Sequence, residues 1–348
     1  MGTVRLSTLE TRILRTDTEK NFGKSLELAA AYLRSGDVVA VPTETVYGLA
    51  ANALEAESVE KIFAAKNRPT QNPIIVHVVD ESMARDCVAE WTEVASALAK
   101  AFWPGPLTLV LPKAENISAI VTAGGGTVGV RLPNHPFMQE LIKTCGFPLA
   151  APSANLSNHV SPTSAEHAKS QLDGRVPLIV DGGAAMVGIE STVVELSDET
   201  MRVLRPGMIS TTAIRAVLPD YSVEGDSDEG ILKSPGQLAR HYAPNARLLL
   251  LNWRDEEDLE KQISYSRTPH DRVHVIAHTN IVPGTRFGRV GVLPREAQAY
   301  ARALYSELHR CDEEGAELIC VEAPPDEPEW VAINDRLTRA GAPGENCF

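Results

Sequence analysis

The sequence predicts an α/β protein in two parts: a larger mixed-sheet domain around a ligand cleft, then a smaller Rossmann-like α/β unit. Three observations lead there. Apolar runs of strand length alternate with helical periodicity through residues 25–218, the pattern of layered α/β domains. Several strand-length runs near 177–207 follow one another without helices between them, which favours a mixed over a purely parallel sheet. The alternation lapses at 219–245 and resumes after it, so the reading is 1–218 as catalytic domain, 219–245 as linker or lid, and 246–348 as C-terminal domain.

Taken in order, 25–37 (SLELAAAYLRSGD) reads as a helix ending at Gly36, and 38–42 (VVAVP) as a strand. Helix 56–66 (AESVEKIFAAK) stops at the Asn-Arg-Pro break, where Pro69 forbids continuation. The run 73–79 (PIIVHVV) is a strand, 93–102 a helix, 107–111 a strand, 127–133 a strand, 137–145 a helix and 148–154 a strand. Helix 163–172, strands 177–183, 191–196 and 201–207, and helix 211–218 close the first part. The segment 220–230 (DYSVEGDSDEG) is acidic and aperiodic. Strands 247–253, 273–278, 288–293 and 317–323, with a strong helix at 295–311, build the second part.

Composition excludes several classes. The chain has 348 residues, 43% hydrophobic and 23% charged, as ordinary globular proteins do. No apolar run approaches the ~18 residues of a membrane span. The N-terminus shows no signal region, and Leu6 stands where a myristoylation motif needs Ser or Thr. Cys87, Cys145, Cys311, Cys320 and Cys347 are scattered, without C-x-x-C spacing, so neither a zinc site nor a disulfide framework is expected. A reduced, cytoplasmic protein without membrane partners follows. The net charge of −13 opposes a broad nucleic-acid surface but permits a small cationic pocket.

Polar residues gather where strands should simply end. Lys66, Arg68 and Asn72 precede a core strand carrying His77, both cations lying at a helix end outside any apolar run. Thr43, Glu44, Thr45 and Tyr47 follow the strand at 38–42. Ser153, Asn155, Ser157, Asn158 and Ser161 follow another, Glu190, Ser191 and Thr192 enter a third, and Arg131 and Arg205 end two more. Any one such segment is ordinary turn chemistry. Together, at the strand ends where α/β sheets bind ligands, they point to an anionic ligand. The glycine run 124–129 matches G-x-G-x-x-G literally but leads into a strand and opens no helix, so it is not a dinucleotide fingerprint.

The segments PTETVYGLAANA, KNRP, NPIIVHV, FWPGPLTLVL, TVGVRLPNHP, PLAAPSAN, GIESTVVEL and LRPG, in this order, resemble the YrdC-type threonylcarbamoyl-AMP synthases. SPGQLARHYAP and AINDRLTRA resemble the long form with an additional C-terminal domain. The family signature K-x-R…S-x-N falls on Lys66, Arg68, Ser153 and Asn155. The resemblance implies a YrdC-like fold and a nucleotidyltransferase. It would join L-threonine, bicarbonate or CO2, and ATP into threonylcarbamoyl-adenylate, with Mg²⁺ arriving on the ATP. A downstream threonylcarbamoyl transferase would then modify the tRNA adenosine beside the anticodon. By matched position the resemblance gives Thr45, His77, Arg131 and Ser191 to threonine. It gives Arg68, Asn72, Thr127, Ser153, Ser161, Arg205 and Tyr242 to ATP, with Lys66 near the phosphates and Asn155 supporting the site. Two other activities of this domain type stay open: a carbamoyl-adenylate-forming carbamoyltransferase module, and a double-stranded-RNA-binding module.

Overall fold

Periodicity becomes structure most directly in the helices. A computed structural model describes residues 10–197, 200–219, 221–224, 235–236, 240–283 and 286–342. The chain opens with β1 (Arg12–Arg15), α1 (Glu19–Arg34), β2 (Val39–Val41) and β3 (Gly48–Asn52). Next come α2 (Ala56–Lys66), β4 (Val76–His77), α3 (Glu81–Cys87), α4 (Glu93–Phe102), β5 (Leu107–Pro112) and β6 (Thr127–Arg131). Then follow α5 (Pro136–Cys145), β7 (Leu149–Ala150), α6 (Ala165–Leu172), β8 (Leu178–Asp181) and β9 (Thr192–Leu196). β10 (Thr200–Arg205), α7 (Thr211–Val217) and β11 (Ser222–Glu224) complete the first part. The second part is β12 (Arg247–Leu251), α8 (Glu256–Ile263), β13 (Val273–Ala277), β14 (Arg289–Val292), α9 (Ala297–Glu313), β15 (Leu318–Glu322) and α10 (Val331–Gly341).

Helix α2 buries Val59, Ile62 and Phe63 on one face and ends at Asn67, whose φ of 50° is the left-handed turn that asparagine tolerates. The larger sheet runs β1-β8-β2-β3-β7-β4-β6-β5-β9-β10-β11. It is mixed: β2 opposes β3 and β5 opposes β6, while β4 runs parallel to β6 and β5 to β9. The smaller sheet, β12-β15-β13-β14, is parallel throughout, as its Rossmann-like reading requires.

The structure departs from the sequence reading at several elements. β1, β3, α3 and α8 were not expected. The run 74–78 is buried throughout and Val79 partly so, yet only Val76 and His77 join the ladder. Its neighbours bond elsewhere, the Ile74 amide to the Val121 carbonyl and the Ala151 amide to the Ile75 carbonyl. β11 lies inside the stretch expected to be a linker and pairs in parallel with β10. Most of the acidic 220–230 segment lies outside the described residues, as do 237–239 of SPGQLARHYAP.

The two parts share a core. Val46, Val160, Ile189 and Tyr242 pack in one apolar cluster with Ala301, Leu304, Tyr305, Leu308 and Ile333 from α9 and α10. At Gly188 (φ +86°) backbone approaches backbone: a Cβ there would sit 2.4 Å from the Arg302 Cα and 2.5 Å from the Ala301 carbonyl oxygen.

Candidate active site

The strand ends of the larger sheet meet at one cavity. In the loop between β2 and β3, the Thr43 hydroxyl donates to the Val46 carbonyl (2.6 Å) and lies 3.0 Å from the Thr45 hydroxyl. This local bonding turns the chain sharply and leaves Thr45 on the cavity wall. Gly48 pairs with Ser153 as an antiparallel bridge, and a Cβ on Gly48 would come within 3.3 Å of the Ala151 Cβ. Glycine thus lets the S-x-N loop close against β3. His77 and Arg131 are register partners in the parallel β4–β6 pair. The Ser191 hydroxyl lies 2.8 Å from that of Thr108. Arg205 donates from Nη2 to the Ser191 hydroxyl (3.1 Å), from Nε to its carbonyl (3.1 Å) and from Nη1 to the Pro235 carbonyl (3.1 Å).

The cations are not at an exposed helix end, as the sequence suggested. Lys66 is 1% exposed, and its ammonium donates to the Ser153 and Asn155 carbonyls. Burial, then the Arg68 charge, pushes it well below the usual lysine range. Arg68 is also buried and donates to the carbonyls of Asn72 (3.3 Å) and Pro73 (2.8 Å). Burial is the main cause that brings it down to about 9. The buried carboxylates nearby are committed: Glu44 to Arg131 at 2.7 Å, Glu190 to Arg336 at 2.8 Å. Lys66 and Arg68 therefore bond carbonyls and no counter-ion, and Arg205 shares the field of Glu190 with Arg336, which leaves the group with surplus positive charge. Desolvated cations in that state cost free energy that an anionic ligand relieves.

Thr45, Arg68, His77, Arg131, Ser153, Ser191, Arg205 and Tyr242 line the cavity, which encloses about 40 Å³ of free space. Lys66, Asn72, Asn155 and Ser161 stand behind it. Lys66 bonds the carbonyls given above, Asn72 accepts from Arg68 through its backbone carbonyl while its buried side-chain amide has no partner among the described residues, and the Asn155 amide donates to the Leu156 (2.7 Å) and His159 (2.8 Å) carbonyls. The Ser161 hydroxyl donates to Glu190 (2.6 Å). Thr127 is not brought to the cavity: it begins β6, whereas Arg131 ends it. His77 is 3% exposed, and burial, with Arg131 second, drives it down to about 3, so the imidazole is neutral at pH 7.

Sequence reasoning missed the contribution of the second part. Arg336 on α10, 1% exposed, donates from Nε to Glu190 and from Nη2 to the Pro206 carbonyl (3.0 Å). The Tyr305 hydroxyl donates to the same carboxylate (3.1 Å). Burial alone would raise Glu190, but Arg336, Arg205 and the Ser161 bond outweigh it and hold the carboxyl at about 2. The Arg336 guanidinium also lies 4.9 Å from the Tyr242 ring centroid. A signal existed: Arg336 sits at helical spacing among the buried Ile333, Leu337 and Ala340, where an apolar residue was due.

Two family models cover the chain. One, described as "Telomere recombination", matches residues 31–207, and one described as "Threonylcarbamoyl-AMP synthase, C-terminal domain" matches 209–342. The threonylcarbamoyl-AMP synthase of Bacillus subtilis is 42% identical over 93% of this chain and 95% of its own length. The chain belongs to the threonylcarbamoyl-AMP synthase family. The threonylcarbamoyl-AMP synthase of Pyrococcus abyssi is 38% identical over 90% of this chain and 93% of its own. The crystal structure of P. abyssi Sua5 complexed with L-threonine aligns with a TM-score of 0.84 at 36% identity, over 95% of this chain and 97% of that one. Similarity at this coverage extends the threonylcarbamoyl-AMP synthase architecture, mixed sheet and smaller parallel sheet alike, to the whole described chain. Among the described residues, no helix is long and apolar enough to cross a membrane.

Proposed function

We propose that this chain is a threonylcarbamoyl-AMP synthase, converting L-threonine, bicarbonate or CO2, and ATP into threonylcarbamoyl-adenylate and pyrophosphate in the cytoplasm. A separate transferase consumes the adenylate to modify tRNA next to the anticodon. The observation that carries this reading is the surplus of buried cations, Lys66, Arg68 and Arg205 against Glu190, adjoining Thr45, His77, Ser191 and an Arg131 that Glu44 balances. Polyphosphate suits the first end and an amino acid the second.

The chemistry needs alignment more than acid–base groups. Threonine's amine adds to CO2 and loses a proton, giving a carbamate; a carbamate oxygen attacks the α-phosphorus, and pyrophosphate leaves. Holding the two substrates across one small cavity supplies proximity, and the buried cations stabilise charge on the transferring phosphoryl group. The donor set does not suit a protein-held metal: the described residues contain no cluster of three His, Cys, Asp or Glu, and both nearby carboxylates are taken by arginines. Mg²⁺ would be carried by the triphosphate oxygens, neutralising charge as they approach.

About 40 Å³ is little more than one water's share of volume. ATP therefore enters only after Pro235, His241 and Tyr242, which line the cavity, swing away, and the segment recloses as a lid that keeps water from the adenylate. The test is pyrophosphate release from ATP by the full-length protein. Release should require L-threonine and bicarbonate together, with the adenylate appearing in equal amount. Release supported by carbamoyl phosphate without threonine would overturn the reading in favour of a carbamoyltransferase module.

A further inference from the structure

Glu44 is a buried carboxylate that the mechanism above does not use. It stands between Thr43 and Thr45 with 5% of its surface exposed, and its Oε1 is 2.7 Å from Nη2 of Arg131. Arg131 Nε donates to the Gly105 carbonyl (3.3 Å). The ion pair and the Nε bond hold the guanidinium in place, while Nη2 and both Glu44 oxygens make no hydrogen bond among the described residues. His77 beside it is neutral. The Arg131 end of the cavity thus carries one buried positive and one buried negative charge, whereas Lys66, Arg68 and Arg205 at the other end carry a surplus.

We infer that Glu44 is a specificity-determining residue: it keeps the Arg131 end of the cavity neutral overall, so that this end accepts a zwitterionic amino acid and refuses phosphate. An amino acid brings its own ammonium, which the Glu44 carboxylate attracts while the Arg131 guanidinium takes the substrate carboxylate. A phosphate brings only negative charge and meets the like charge of Glu44, buried just behind the Thr45–Arg131 wall, where low dielectric lets the repulsion act. Polyphosphate is thereby confined to the surplus end, and ATP cannot bind reversed. This inference rests on the reading of Arg131 as a threonine ligand.

Calorimetric titration of the full-length protein with L-threonine, with and without inorganic phosphate, tests it. In the native protein phosphate should weaken ATP binding and leave threonine binding unchanged. In Glu44→Gln, which keeps the side chain's shape, phosphate should raise the apparent threonine Kd by about tenfold or more, as loss of one repulsive contact of ~1.4 kcal/mol would give. Glu44→Asp should restore indifference to phosphate. Competition between phosphate and threonine in the native protein overturns the inference without any variant. So does threonine binding by Glu44→Gln that stays indifferent to phosphate while Arg131→Ala has lost threonine. Should Arg131→Ala bind threonine normally, the underlying assignment falls, and the inference with it.

Discussion

Lys66 ends α2 with its ammonium on two carbonyls and no carboxylate. That arrangement joins catalysis to stability at one residue. Charge-assisted hydrogen bonds contribute ~1.5–3 kcal/mol, so Lys66→Ala should lower ATP turnover roughly ten- to a hundredfold. It also leaves two buried carbonyls unpartnered, at about 1–3 kcal/mol each, and should lower the melting temperature as well. Steady-state turnover and a melting curve on the same preparation check both; an unchanged melting temperature would mean the carbonyls find water or another donor. The residue types of the site were legible because Lys, Arg, Ser and Thr are conspicuous at strand ends. Their pairings were not. Glu190 and Arg336 are 146 positions apart in sequence, and only the packing of the two parts reveals that one neutralises the other. Burial was equally hidden: nothing local distinguishes Lys66, 1% exposed, from a solvated lysine at a helix end.

The element that matters most for turnover is the stretch from Pro235 to Tyr242. Gly236 has φ +89°, and a Cβ there would fall 2.2 Å from the Tyr242 hydroxyl oxygen. Tyr242 itself holds φ +60° and is 1% exposed. A bulky residue in the left-handed region costs of order 1–3 kcal/mol, tolerated where surrounding contacts impose it. The imposing contacts are the Arg336 guanidinium and the stacked Tyr305 ring, 6.1 Å away. Tyr242→Ala should leave the first part folded, weaken ATP binding, and release more pyrophosphate than adenylate, because the intermediate is then exposed to water. Equal yields of the two products would make this stretch a tether only. Helices α2 and α4 were legible to the residue, since apolar spacing and an end signal coincide in each. β3 was not: Gly-Leu-Ala-Ala-Asn has poor strand propensity and forms a strand because β2 and β7 flank it. β1 escaped as a short edge strand, RILR, with charge at both ends.

Across the whole molecule, burial of histidines sets the acid limit. His77, His241 and His309 are each brought from 6.5 to about 3, burial being the largest cause in all three. A depressed folded-state value means the unfolded chain binds more protons between those limits. Stability is therefore complete above pH 6.5 and falls as pH drops from about 6.5 toward about 3, by up to ~1.4 kcal/mol per unit per histidine. Glu190, lowered from 4.5 to about 2, adds to the loss in the lower part of that range. Melting temperature against pH should decline steadily below 6.5; a flat profile down to pH 4 would show these histidines to be solvated. His309 places the effect at the junction of the two parts. Its Nε2 is 3.1 Å from the Ser161 carbonyl, and its ring stacks on His167 at 4.0 Å. The two-part organisation was readable from the lapse in periodicity, but the shared apolar core across it was not, because each contributing helix reads alone as an ordinary amphipathic one.

The contact at Gly188 joins the second part to the cavity loop. Backbone meets backbone there with no side chain between, and the Gly188 amide is bonded to the Thr45 carbonyl of the cavity loop. A joint with no slack admits no side chain: any residue larger than glycine at 188 would push α9 away from the loop that carries Thr45. The Gly188–Thr45 bond lies within the first part, so the cavity loop and the surface on which α9 rests are a single piece of backbone.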